Sequence, residues 1–196
     1  MIRILFLKYF VFSLSFFTLY QSQTIIKKDT NWSKDFVLRE SVTIDSGAAL
    51  TIQSGVTISL EYIDADSNNI GDLSIKVLGA LNVKGSINSP VVFKPLRNTN
   101  KNTHWQGISF LNSPRPSKIN YLELYNVNTG LSIHSEIKVK GLTINRSEKH
   151  GVFINSVADN VIDLRNVNIV NSKEAGFFLE KGNVSVNWCT ISKCDG

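Results

Sequence analysis

Three sets of side chains in this sequence have types and spacings suited to chemistry. The first is Asp64, Asp66 and Asn68 in "EYIDADSNNIGDLSI", with Asp72 close behind. Alternating oxygen-bearing side chains open calcium loops, because a hard cation collects several carboxylate and amide oxygens. A loop of the EF-hand kind also needs a turn glycine at its sixth position and a bidentate glutamate at its twelfth. Counted from Asp64, those positions hold Asn69 and Ile75. Calcium at Asp64, Asp66, Asn68 and Asp72 therefore competes with a solvated turn cluster, which Asn, Asp and Gly form readily. No other cofactor is expected.

The second set is Phe153 and Phe178 with His134, Asn155 and Glu180. Exposed aromatic faces flanked by polar groups suit sugar rings, which present an apolar face and an edge of hydroxyls. The competing reading is that a later segment or another chain covers the two rings, since large apolar patches rarely stay bare. The third set is scattered. His104 has no second His or Cys at metal-ligand spacing, so His104 and Trp105 are expected to shape a turn. Cys189 is expected as a buried free thiol rather than as a disulfide with Cys194. No nucleophile elbow, phosphate-binding glycine loop or zinc signature is present.

These residues can only be placed once the backbone between them is known. Triplets with apolar ends and a mostly polar middle recur: "VTI" at Val42, "LTI" at Leu50, "LSI" at Leu73, "ISF" at Ile108, "LSI" at Leu131, "VFI" at Val152 and "FFL" at Phe177 among them. Alternate residues of an extended strand face opposite sides, so each triplet reads as a short half-buried strand. The last three sets start at Leu131, Ile137 and Leu142, then Val152, Ile162 and Val167, then Phe177, Val184 and Cys189. The step from second to third strand is always five residues, and the step to the next first strand is ten. Such constancy predicts a coil of three short strands and three turns, stacked on its neighbour, which is a parallel β-helix. Gly130, Gly151 and Gly176 each precede a first strand and are expected to turn the corner there.

The same register fixes where the candidates stand. Phe153 and Phe178 fall at outward middle positions, in line with Ser109 and Ser132, and His134, Asn155 and Glu180 form a polar column beside them. Glu148, Lys173 and Asp195 share one turn column, and Lys149 and Glu174 the next. These are expected as exposed structural ion pairs. Leu73 is taken as the partner of Val42, which makes the stretch from Glu61 to Asp72 an insertion looping out between the first two coils.

Length and composition bound the rest. With 196 residues and 42% hydrophobic content, one ordered domain with a substantial core is expected. The formal charge of +5 is spread among acids, which argues against nucleic acid as a partner, since phosphate recognition needs a concentrated basic face. Two cysteines exclude a disulfide scaffold. The N-terminus, "MIRILFLKYFVFSLSFFTLYQSQ", places two cations before an apolar run, the build of a signal peptide over residues 1–23. An uncleaved anchor is the alternative. Residues 24–40 are then expected as an N-terminal cap and 41–196 as the β-helix, incomplete at its C-terminus and able to stack on a continuation or on another chain. Once processed, the protein is expected to be secreted or held at the cell surface, with the periplasm as an alternative, and not to span a membrane.

The stretches "SVTIDSGAALTIQSGVTISL", "LGALNVKGSINSPVVFKPL" and "HWQGISF" resemble the right-handed parallel β-helix proteins of the pectin-lyase-like superfamily, in the secreted form common at bacterial surfaces. The resemblance implies an all-β, right-handed parallel β-helix and covers essentially everything after Thr30. For activity, it implies lyases, glycosidases, epimerases or adhesins. Pectate-lyase chemistry in that family uses calcium held by acids together with a proton-abstracting arginine. The segment "SPRPSK" around Arg115 has no matching acidic column in later coils, so no catalytic residue is assigned. The expected function is a module presenting a polysaccharide- or surface-binding face. A polysaccharide lyase or glycoside hydrolase with an active site partly beyond residue 196 is the first alternative, and a structural stalk or adhesin segment the second.

Overall fold

Short strands with apolar ends cannot bury those ends alone, so they stack. The computed structural model describes residues 23–97, 103–157 and 159–195, and there the chain winds as a parallel β-helix with strands numbered in chain order. The first face stacks β1 (Gln23–Ile26), β4 (Ser41–Ile44), β7 (Ser74–Val77), β10 (Gly107–Phe110), β12 (Leu131–Ile133), β14 (His150–Asn155) and β16 (Ala175–Lys181). The second carries β2 (Thr30–Trp32), β5 (Ala49–Ile52), β8 (Ala80–Lys84), the first halves of β11 (Ser117–Val127), β13 (Ile137–Ser147) and β15 (Val161–Ser172), and then β17 (Asn183–Asn187). The third carries β3 (Phe36–Leu38), β6 (Thr57–Leu60), β9 (Val91–Pro95), the second halves of β11, β13 and β15, and β18 (Thr190–Ser192). Residues 24–40, expected as a cap, supply most of the first described coil. Of the signal peptide expected over residues 1–23, all but Gln23 lies outside the described residues, and Gln23 belongs to β1.

The constant five-residue step has a physical cause. In three successive coils the second and third strands merge, and the corner between them is one residue in the left-handed region. Tyr121 (φ 47°), Gly141 (φ 80°) and Asn166 (φ 54°) are those corners, and Trp188 (φ 54°), between β17 and β18, continues the column. A second left-handed column, Asn126, Arg146, Asn171 and Lys193, closes the third face. Asn tolerates this region better than most residues. Tyr121 gains a partner instead, because its ring lies where a side chain on Gly141 would stand.

The inward ends build the core. Leu131, Val152 and Phe177 stack in one column, and Leu142 pairs with Val167 in another, with Cys189 packed against the same core. Trp105, expected in a turn, is fully buried and stacks on Phe93 with ring centroids 5.4 Å apart. Its indole N–H donates to the carbonyl of Tyr125. Cys189 and Cys194 are both free, but Cys189 is only half-buried because it lies on the last described coil.

Two details of register differ from the sequence reading. Val42 pairs with Ile75, not Leu73. A shift of two keeps every side chain on its face, so the triplet pattern could not distinguish the two. Gly130, Gly151 and Gly176 do not adopt positive φ; they are needed for space. A Cβ on Gly151 would lie 2.5 Å from Ile169 Cγ2 and 2.7 Å from the carbonyl oxygen of Gly176.

Candidate functional site

Alternation on the first face turns Thr43, Lys76, Ser109, Ser132, Phe153 and Phe178 outward in one continuous column. Polar residues give way to phenylalanine in the last two coils. The rings of Phe153 and Phe178 lie nearly parallel, with centroids 5.8 Å apart and planes 9° apart. Phe178 is 44% exposed.

A third ring joins them that sequence reasoning missed. His150 stacks on Phe178 at 4.9 Å and on Phe153 at 5.9 Å, within 18° of parallel to each. Strict alternation would turn His150 to the same side as Val152, and its place before Gly151 made it look like a turn residue. The only available signal was an aromatic side chain three residues before Phe153. His150 Nε2 lies 3.4 Å from Glu174 Oε2, while its Nδ1 is buried without a hydrogen-bond partner.

The polar residues beside the rings form a continuous chain of hydrogen bonds. Ser132 Oγ is 3.1 Å from His134 Nε2, and His134 Nδ1 is 2.8 Å from the carbonyl oxygen of Asn155. Asn155 Nδ2 donates to Glu180 Oε2 at 2.9 Å. The His134 ring also lies against Phe153, centroids 5.9 Å apart. Glu180 reaches Asn155 across an irregularity: Ile154 pairs with Leu179 and Asn155 with Lys181, so Glu180 is the extra residue of a β-bulge. The expected column of His134, Asn155 and Glu180 is therefore broken along the backbone but joined through side chains. Together these residues make an aromatic patch of three stacked rings with an amide, a carboxylate and the His134 imidazole at its margin.

The acidic insertion sits elsewhere, between the second and third described coils rather than the first two. Its oxygens are turned inward on the loop itself. Asp64 accepts from the Tyr62 hydroxyl at 2.7 Å and from the backbone N–H groups of Asn68 and Asn69. Asp66 accepts from Asn68, Asn68 Oδ1 from the N–H of Ile70, and Asp72 from the N–H of Ala65. The Tyr62 hydrogen bond, helped by the two amides, holds the Asp64 carboxyl below the usual aspartate value against the opposing effect of desolvation. Among the described residues no group of three or more His, Cys, Asp or Glu is placed to hold a metal ion. The donor set fits a turn cluster better than a cation cage, because the same lone pairs already bind amides. Gly71 anchors the loop base, where a Cβ would lie 1.8 Å from the carbonyl oxygen of His104. His104 itself packs edge-on against Tyr62.

The remaining candidates are structural. Lys173 pairs with Glu148 across the turn column, whereas Glu174 lies nearer His150. Arg115 Nη1 donates to the carbonyl oxygen of Gly47 at 3.2 Å and lies 3.6 Å from Asp29 Oδ1. Its guanidinium is thus tied to earlier coils.

The family model of the pectate-lyase-like beta-helix domain matches residues 23–121. The chain belongs to that family. No curated protein and no solved structure matches the chain. The matched part of this pectate-lyase-like β-helix ends before Ser132, so the aromatic patch and its polar margin lie outside it. Membership accounts for the coil and leaves the chemistry of the patch to its own residues.

Proposed function

We infer that this pectate-lyase-like β-helix is a secreted or cell-surface module that presents its first outer face to polysaccharide. The observation that carries this reading is the cluster of three stacked, nearly parallel rings, His150, Phe153 and Phe178. With Phe178 44% exposed, it offers apolar surface to the apolar face of a sugar ring. Asn155, Glu180 and His134 stand where ring hydroxyls would need donors and acceptors, and partners of this kind fix orientation at saccharide sites. The partner is a polysaccharide or cell-surface glycan, and neither calcium nor nucleic acid is needed to bind it.

Retention of the chain on a panel of insoluble and soluble polysaccharides tests the reading, with the Phe153→Ser, Phe178→Ser double variant alongside. The wild type should be retained by at least one glycan and the folded double variant by none. Equal retention of the two would remove the platform from the function. Loss of self-association in place of glycan retention would identify a second copy of the chain as the true partner.

A further inference from the structure

Ser132 lies on β12 and His134 directly follows its last residue, two positions on, and the hydrogen bond between their side chains puts both on the outer side of the coil. Their separation of 3.1 Å and the 2.8 Å contact between His134 Nδ1 and the Asn155 carbonyl oxygen fix the proton positions. A carbonyl oxygen can only accept, so in the neutral ring Nδ1 carries the hydrogen and Nε2 is left to accept from the serine hydroxyl. A serine donating to an imidazole whose other nitrogen is held by a third group is the arrangement that activates a nucleophile. Here the third group is a backbone carbonyl. The hydroxyl is half-buried at the edge of the aromatic platform, one coil from Phe153.

We propose that Ser132 and His134 form a nucleophilic dyad that cleaves O-acyl esters of saccharides. Ser132 Oγ attacks the acyl carbonyl carbon while its proton passes to His134 Nε2, and the Asn155 carbonyl steadies the imidazolium through Nδ1–H. The carbon–oxygen bond to the sugar then breaks, and the sugar oxygen leaves as an alcohol with that proton. Water, deprotonated by the same Nε2, attacks the Ser132 ester and releases the carboxylic acid, which restores the hydroxyl. The identity of the alcohol as a sugar rests on the polysaccharide reading; the dyad itself does not.

A fluorophosphonate probe with mass-spectrometric mapping, together with p-nitrophenyl acetate hydrolysis, tests the dyad on the full chain. The probe should label Ser132, and Ser132→Ala should abolish both labelling and turnover while leaving the thermal midpoint unchanged. His134→Gln should slow both reactions about a hundredfold or more, the usual contribution of a general base. The Phe153→Ser, Phe178→Ser variant should lose polysaccharide retention yet keep labelling by the small probe, which separates failure of the binding surface from failure of the dyad. No label on Ser132 in the folded wild type, or an esterase rate unaffected by Ser132→Ala, would overturn the proposal.

Discussion

Phe153 and Phe178 occupy outward positions that earlier coils fill with Thr, Lys and Ser, and their exposure decides what their loss should do. Phe178 keeps 44% of its surface in water, so the Phe153→Ser, Phe178→Ser variant should stay folded with a modest loss of stability. Phe93, fully buried under Trp105, is the control: Phe93→Ala should cost about 3–5 kcal/mol. Chemical denaturation of the two variants checks the contrast. At the acidic loop the direction of titration matters. The carboxyl of Asp64 is held below its ordinary value, so its contribution to loop order is complete above the ordinary aspartate range and fades as pH falls through the lowered value. Amide signals of Asn68 and Asn69, followed by NMR, should hold their shifts through the ordinary aspartate range and move only below it. Movement at the ordinary aspartate value would mean that the Tyr62 hydrogen bond is not formed. Chelator should leave the thermal midpoint nearly unchanged; a large fall, removed by Asp64→Ala and Asp66→Ala, would show a bound cation.

The strands were legible because period-two alternation is a direct consequence of burying one side of an extended chain. The corners were less so. A five-residue step between strands says that the turn is short, but a single left-handed residue at Tyr121, Asn166 or Trp188 leaves no glycine to mark it. The glycines at 130, 151 and 176 were visible and their reason was not. They admit an isoleucine of their own coil and, for Gly130 and Gly151, a carbonyl of the next coil, rather than a positive φ. Gly151→Ala should therefore destabilise by about 1–3 kcal/mol through overpacking, whereas Gly55→Ala, with only Ser89 Cβ at 3.7 Å near its added Cβ but a φ of 78°, should lose stability through backbone strain alone. Thermal melts of the two variants check both losses. His150 and the Ser132–His134 contact escaped the sequence for a related reason. The position of a ring at a strand entrance, and the carbonyl that sets a tautomer, are properties of neighbouring coils rather than of any local pattern.

Across the whole molecule, each coil touches chiefly the coil before and the coil after it, so an outer surface is assembled one residue per coil. A face built in this way is flat, long and repetitive, which matches a polymer better than a compact small molecule. On the proposed polysaccharide reading, the change from polar to aromatic residues along the first face puts the contact on the coils bearing Ser132, Phe153 and Phe178. Weak ion pairs such as Glu148 with Lys173 trim the edge of the stack and contribute at most about 1 kcal/mol each; Lys173→Met should change stability by no more than that at ordinary salt. The most direct test of the polysaccharide-binding face is a crystal structure of the chain with an oligosaccharide drawn from a glycan that retains it. A sugar ring should pack on Phe153, Phe178 and His150 with hydroxyls bonded to Asn155 and Glu180. A sugar seated on another face, with those three rings untouched, would contradict it.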